Sequence, residues 1–451
     1  MSLRRLFIAN RGEIAVRIVR AAQALNIETV VAVSDADRDS LAAQMADRAV
    51  VIGPASATKS YLDARLIVHA ARETGCDSLH PGYGFLSERA ILPRLCDENG
   101  IIFVGPDART IDALGDKIRA RAMARDAGVP LVPGCDEIAT AADARREADR
   151  IGYPVLIKAS AGGGGRGMVI ANDADQAEAG FHKASAEALA AFGDGTLFME
   201  RFVPDARHVE VQLMGDGAGA VVHFGERDCS VQRRYQKLIE EAPCLAMEDD
   251  LRRSLHRAAV DLAASVSYRN AGTVEFLFDV LRQEIYFIEV NARIQVEHPV
   301  SEMISGRDLV QEQLRIAGGE GLCFAQSDIA LSGHAIECRI NAEDVTRDFA
   351  PSPGRVARWL PPQGPGIRVD SHIVEGATIP PYYDSMVAKL IVHGTTREAA
   401  VARLTAALDD FQIDGVATTL DLHKRIVRHP DYIANRVNTR WLETSLLGTE
   451  R

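Results

Sequence analysis

The sequence predicts a mixed α/β and α+β protein of about three domains: a parallel-sheet region first, a central region with a closing lid, and a turn-rich third region. Three observations carry this. The chain has 451 residues, room for three units of about 150. Its first ~115 residues repeat a strand–helix rhythm. And a lysine-ended strand, Tyr153–Lys158, runs directly into the glycine run Gly162–Gly165 in the middle of the chain, where a flexible loop suits a lid.

In chain order, Leu6–Ala9 reads as a short buried strand, Ile14–Leu25 has helical apolar spacing, Thr29–Val33 is a second strand and Ile101–Val104 a later one. Strands alternating with helices imply a parallel sheet. The turn Asn10–Glu13 sits where a dinucleotide fold carries GxGxxG, and lacks it. The loop HPGYGFLSE (80–88) either borders a site or is a glycine-rich turn around one aromatic. From about Gly115 a helix and a compact αβ module follow, ending near Val203. From about Gly333 come a strand, Pro/Gly-rich turns and helices near Ala399–Asp409 and Thr419–His429.

The richest stretch is Ile285–Pro299. From 289 onward Glu289, Asn291, Arg293, Gln295 and Glu297 alternate with Val290, Ala292, Ile294 and Val296. Alternate side chains of an extended backbone share a face, so two carboxylates, two amides and a guanidinium line up. Wet strand faces are usually Thr, Lys and Ser. Glu275, in the apolar run Gly272–Phe278, offers another carboxylate on a neighbouring strand. Glu275, Glu289 and Asn291 make an all-oxygen set suited to a hard dication such as Mg²⁺.

A glycine loop after Lys158 can wrap phosphates with backbone N–H groups, or be an unliganded hairpin; its lysine precedes the glycines, so it is not a Walker loop. Lys117, at a helix start, fits best beside a phosphate but is compatible with a surface lysine. Phe198–Val203 reads as a strand entering a hinge, where backbone groups can meet a base. His208, Glu210 and Gln212 share one strand face. Gln232–Lys237 is a basic loop that is either solvated or clamps an anion.

Composition excludes several classes. The net charge of −12 argues against a bulk nucleic-acid binder. No apolar run approaches the ~20 residues of a membrane span, and the first residues read as a core strand, not a signal peptide. Seven scattered cysteines without CxxC pairs suggest neither disulfides nor zinc, and a cytoplasmic setting is expected.

Taken together, these motifs resemble the biotin carboxylase family of the ATP-grasp superfamily. The resemblance runs from Ile8 almost to the C-terminus and includes HPGYGFLSE, GDK (115–117), IKASAGGGGRGM (157–168), RHVEVQ (207–212), ERDCSVQRR (226–234), EEAP (240–243), GTVEFLF (272–278), RIQVEHPVSEMISG (293–306), ECRINAED (337–344) and PPYYDSM (380–386). It implies a pre-ATP-grasp domain over 1–116, an ATP-grasp domain over 117–331 with its lid at about 132–202, and a C-terminal domain over 332–451. It also implies ATP-dependent carboxylation of biotin by bicarbonate through carboxyphosphate. By motif, Lys117, Lys158, His208, Gly164 and Gly165 would hold phosphates. Glu200, Arg201, Phe202 and Val203 would meet the adenine between Met168 and Leu277, with Gln232 and Tyr235 also facing the nucleotide. Glu275, Glu289 and Asn291 would bind Mg²⁺ or Mn²⁺. Lys237, Arg293, Gln295 and the Val296 backbone would grip bicarbonate, Glu297 would take its proton, and Arg339 and Tyr83 would face biotin.

Four positions depart from the family pattern: Tyr235 stands where His is common, Arg201 where Lys is common, and Thr439-Arg440 where Ile-His is usual. The chain holds no Ala-Met-Lys-Met-type biotinylation sequence. The expected partners are therefore a biotin carboxyl carrier protein and carboxyltransferase subunits, as in an acyl-CoA carboxylase of fatty acid biosynthesis, with a homodimer as the expected assembly. A ligase joining a carboxylate to an amine fits the Arg293–Glu297 run poorly, and a non-catalytic regulator fits poorly with Lys237, Glu297 and Arg339 all in place.

Overall fold

A computed structural model of the chain describes residues 3–160 and 167–448. Gly164 and Gly165 lie outside the described residues. The N-terminal region is a five-stranded sheet of β1 (Arg5–Ile8), β2 (Glu28–Val33), β3 (Arg48–Val51), β4 (Ser78–His80) and β5 (Ile102–Phe103), in the order β3-β2-β1-β4-β5. Every pairing is parallel, as the strand–helix rhythm predicts. Helix α1 (Gly12–Ala24) follows β1 at once, and its apolar Ile14, Val16, Ile18 and Val19 are buried.

Helix α2 (Lys117–Asp126) leads into a separate four-stranded antiparallel sheet. It contains β6 (Gly134–Ile138), β7 (Val155–Ala159), β8 (Met168–Ala171) and β9 (Leu197–Arg201), in the order β6-β9-β7-β8. Helices α3 (Ala141–Ile151) and α4 (Ala174–Phe192) cover one face. The core between them is small and rich in alanine: Ala144, Ala148, Ala177, Ala184 and Ala188 against Val155, Ile157 and Met199.

The largest sheet has eight strands. Its members are β10 (Ala206–Asp216), β11 (Val221–Arg233), β12 (Gln236–Ala242), β13 (Arg269–Asp279), β14 (Glu284–Asn291), β15 (His334–Asn341), β16 (Ile367–Ser371) and β17 (Met386–Gly394). The order is β14-β13-β10-β11-β12-β15-β17-β16. The third region therefore does not build its own sheet at first: β15, β16 and β17 extend the central one through the β12–β15 pairing. Helix α5 (Asp249–Ser265) packs Leu255, Ala259 and Leu262 into one core with Phe7, Leu79, Val209 and Phe276, which joins the central sheet to the N-terminal one. Helices α7 (Arg397–Asp410) and α8 (Leu420–Val427) cover the far strands, after α6 (His298–Ser305) has crossed behind them.

One expectation is corrected. Gln232–Lys237 is no loop but the tip of the β11–β12 hairpin, with Arg234 and Tyr235 in left-handed conformations at the turn. Ile285–Pro299 divides into a strand and its extension. β14 ends at Asn291, and Glu297 caps α6. A bulge at Ile288 also changes the phase: Glu275 pairs with Glu289, yet the next residue Phe276 pairs with Phe287. The extra residue turns Phe287 into the core and Glu289 to the opposite face. That is why the polar alternation starts at 289.

Among the described residues, no helix is long and apolar enough to cross a membrane.

Candidate active site

The central sheet gathers charge on one face. His208 and Glu210 come from β10, Glu275 from β13, Lys237 from β12 and Arg339 from β15, because each sits on the same side of its antiparallel ladder. Lys237 Nζ lies 2.6 Å from Glu210, 2.6 Å from Glu297 and 3.1 Å from Glu275. Arg339 lies 2.6 Å from Glu240 and 2.9 Å from Glu297. The Glu297 carboxylate thus spans the two cations, one oxygen on each. Burial alone raises a carboxyl pKa; here Lys237, Arg339 and Arg227 outweigh it and hold Glu297 well below the usual range. Burial likewise disfavours the Lys237 charge, but Cys229 and the surrounding carboxylates more than reverse that, and its pKa is raised.

Beyond Asn291 the extended turn keeps its alternation. Arg293 donates to Gln295 at 2.7 Å, to Asn291 at 3.0 Å and to Glu88 at 2.9 Å. Gln295 in turn donates to Glu275 at 3.2 Å. Glu88 ends HPGYGFLSE and also accepts from the Ala292 N–H, so this loop does border the site. Tyr83 of the same loop donates its hydroxyl to buried Glu13.

Glu275 and Glu289 are register partners across β13 and β14. Burial and the Glu275 charge raise the Glu289 pKa, with Lys117 pulling the other way. The buried Glu275 and half-buried Glu289 carboxylates with the Asn291 amide form a donor set that a hard dication satisfies. His208, Glu210 and Glu275 also bring ligand atoms within 4.8 Å of one another, as do Glu210, Cys229 and Glu297. Glu289 enters neither cluster. His208 binds Glu275 at 2.9 Å, and that carboxylate outweighs burial to raise the imidazole pKa.

Lys158 and Met168 are cross-strand partners, and Lys158 Nζ lies 2.5 Å from Glu200, which also takes Arg121 at 2.7 Å. The Glu200 side chain is therefore already paired. The Arg201 side chain turns away to Tyr286 and Glu284, and its N–H, like that of Phe202, is bonded to lid backbone. Val203 and Leu277 meet in an apolar cluster with Val132, Ala206 and Tyr286, a flat wall beside the hinge. Gln232 is buried at the end of β11, whereas Tyr235 is 62 % exposed at the hairpin tip. Arg233 and Arg234 reach Asp348, so the basic tip clamps a protein carboxylate.

Sequence reasoning missed Arg227. It is fully buried and donates to Glu210 at 2.6 Å, Gln212 at 2.7 Å, Ser301 at 3.0 Å and Thr273 at 3.2 Å. In the sequence Arg227 stands between Glu226 and Asp228 as part of a charged run, and Lys389, in the apolar run Met386–Gly394, is marked only by its setting.

Family models match nearly the whole chain: "Biotin carboxylase, N-terminal domain" over residues 2–111, "Carbamoyl-phosphate synthase L chain, ATP binding domain" over 116–324 and "Biotin carboxylase C-terminal domain" over 337–444. The chain belongs to the biotin carboxylase family. Members of this family are ATP-grasp ligases. Among curated relatives, the chain is 48% identical to Biotin carboxylase 1 of Bacillus subtilis, covering 98% of both chains. A solved biotin carboxylase from Campylobacter jejuni superposes with a TM-score of 0.93 at 43% identity, over 98% of this chain and 99% of the other. The biotin carboxylase domain dimer of Hydrogenobacter thermophilus 2-oxoglutarate carboxylase, solved with MgADP, ADP and bicarbonate, gives 0.91 at 46% identity over 98% of each.

Proposed function

We propose that this biotin carboxylase carries the first half-reaction of a multisubunit carboxylase, charging biotin on a separate carrier protein with bicarbonate at the expense of ATP. The observation that carries the reading is the Glu297 carboxylate held between Lys237 at 2.6 Å and Arg339 at 2.9 Å. A base flanked by two cations suits a reaction in which one anion must meet another.

The roles are assigned as follows. The domains are 1–116, 117–331 and 332–451, and the segment 132–202 closes over ATP. Lys117, Lys158 and His208 take phosphates, while Val203, Leu277 and Met168 flank the base. Glu275, Glu289 and Asn291 would hold Mg²⁺ or Mn²⁺, which when bound neutralises phosphate charge. Arg293, Gln295, Lys237 and the Val296 backbone hold bicarbonate.

When Lys237 turns to bicarbonate and Arg339 to the biotin ureido oxygen, Glu297 loses the charges that depress its pKa. It then becomes basic enough to take the bicarbonate proton. The freed bicarbonate oxygen attacks the γ-phosphorus and the bond to ADP breaks, giving carboxyphosphate. Its C–O bond then cleaves to CO₂ and phosphate. Phosphate removes the ureido N–H proton, and the nitrogen attacks CO₂ while Arg339 holds the oxygen and Tyr83 borders the ring.

A cytoplasmic setting, a homodimer, and carrier and carboxyltransferase subunits as partners complete the reading. Phosphate release from ATP tests it. Release should need bicarbonate and Mg²⁺ and should rise with free biotin; hydrolysis indifferent to both sinks the proposal.

A further inference from the structure

Lys389 stands in the middle of β17, in the apolar run Val387–Val392, and its side chain has no exposed surface. A buried ammonium is expensive unless its hydrogens are satisfied. Two partners do this. Nζ donates to the Val296 carbonyl at 2.8 Å and forms an ion pair with Glu13 Oε1 at 3.1 Å. Asp370 lies opposite Lys389 in the ladder, but it is committed to Arg368 through both oxygens. Glu13 opens α1, is itself buried, and accepts the Tyr83 hydroxyl on the same oxygen that meets Lys389. Across the β15–β17 ladder Lys389 is the register partner of Arg339. Residues 13 and 296, and through Glu13 residue 83, are thus tied to the one ammonium of Lys389, beside Arg339 in the ladder.

The Lys389–Val296 bond acts on the next residue in the chain. The Val296 carbonyl belongs to the peptide linking Val296 to Glu297, and Glu297 leaves it at φ −81° and ψ 13° to start α6. Fixing the carbonyl fixes the peptide plane from which the Glu297 side chain springs. We propose that Lys389 is a positioning residue: one buried ammonium holds the Val296–Glu297 peptide and, through Glu13, the Tyr83 phenol, so that the bicarbonate-facing turn and the biotin-facing loop keep a common geometry. This rests on the reaction assigned above.

The test is Lys389→Met, which keeps chain length and apolar fit but removes both bonds. Nucleotide, bicarbonate and biotin kinetics are followed by phosphate release with the full chain. The KM for ATP should stay within about twofold, the KM values for bicarbonate and biotin should rise, and biotin-dependent kcat should fall by up to about 10²-fold, the scale of a small misplacement of reacting groups. Parent values throughout, or an ATP KM that worsens as much as the others, overturn the inference. If Lys389→Met does not fold, a Glu13→Gln and Tyr83→Phe cycle decides. Glu13→Gln should add less than about twofold to the loss of biotin stimulation already caused by Tyr83→Phe, because both act through one chain of contacts. Independent, multiplying losses overturn it. A parent protein with no bicarbonate-dependent release refutes the reaction assignment itself, and this inference with it.

Discussion

The four-stranded lid sheet and the eight-stranded central sheet are built on opposite principles. The lid packs alanine-rich helices α3 and α4 on short strands. Among the described residues its one fully buried charge is Glu200, and Arg145, Arg146 and Arg150 pair on its surface. The central sheet buries Arg227, Glu210, Glu297, Glu275 and Lys389 almost completely and pairs each with several partners. A small core with few large apolar groups separates from its neighbours at low cost, which suits motion. A face of buried charges is costly to assemble, but once assembled it needs no rearrangement of solvent during reaction. The difference teaches that affinity and chemistry are placed on separate layers, so mutations should sort accordingly.

The largest effect should come from Lys237→Met. It leaves Glu210, Glu275 and Glu297 without their shared cation. Biotin-dependent turnover should fall by about 10²–10³-fold, as for a lost transition-state donor, and thermal stability should drop. Nucleotide binding, assigned above to groups other than Lys237, should change much less. A variant whose turnover falls less than its ATP affinity would erase the division between the two layers.

The hinge gives the next test. Arg201 joins lid strand β9 to Glu284 and Tyr286 on β14, with its guanidinium 5.3 Å from the Tyr286 ring centre. Arg201→Ala should loosen this attachment and shift nucleotide Kd by about three- to tenfold, the scale of a partly buried ion pair with cation–π contact. kcat at saturating ATP should stay within about twofold. Hydrogen exchange at Val155–Ala159 and Met168–Ala171 should slow on nucleotide binding in the parent and slow less in the variant. Unchanged exchange would mean that this lid does not close.

Legibility in the sequence followed the same division. The parallel sheet and the first helix were readable because period and burial agree there. The site residues Glu275, Arg293, Gln295 and Glu297 were readable because long polar groups alternate where a core strand should not carry them. What was not legible depended on register. The bulge at Ile288 leaves no mark in composition. Nor could spacing show that β15 continues the central sheet, since the β12–β15 pairing joins residues about a hundred positions apart. Arg227 and Lys389 looked like ordinary charges until the ladder placed carboxylates and a carbonyl beside them.

Glu240 offers a pH test of the contrast. Burial, partly offset by Arg339 and reinforced by Glu297, pushes its pKa up to about 7, and its second oxygen has no partner, leaving room for a proton. A carboxyl whose folded pKa is raised stabilises fully below its unfolded pKa of about 4.3, and that stability is lost as pH rises toward the folded value. The lid carboxylates Asp143 and Asp194 shift the other way, held down by Thr140 and Thr196 hydroxyls. Glu240→Gln should remove a declining slope of at most about 1.4 kcal/mol per pH unit between pH ~5 and ~7. Urea midpoints of parent and variant across that range measure it, and parallel curves would place the proton elsewhere.

The smallest expected effect is at Tyr235. The side chain projects from the hairpin tip, at φ +65°, a left-handed conformation that histidine adopts more readily than most residues. Burial raises the phenol pKa further, with Glu443 adding to this and Arg440 opposing it, so the group is neutral at working pH. Its position should therefore give nucleotide affinity little pH dependence. An imidazole titrates near ~6.5 and supplies a positive charge below it. Tyr235→His should tighten nucleotide binding between pH ~8 and ~6 by a few-fold, on the order of one exposed charge pair, with turnover at saturating ATP unchanged. Kd values across that range for both proteins decide the matter. Coincident profiles would mean that the tip does not sense the nucleotide, and that the substitution of Tyr for the common His is silent because the side chain stays in solvent.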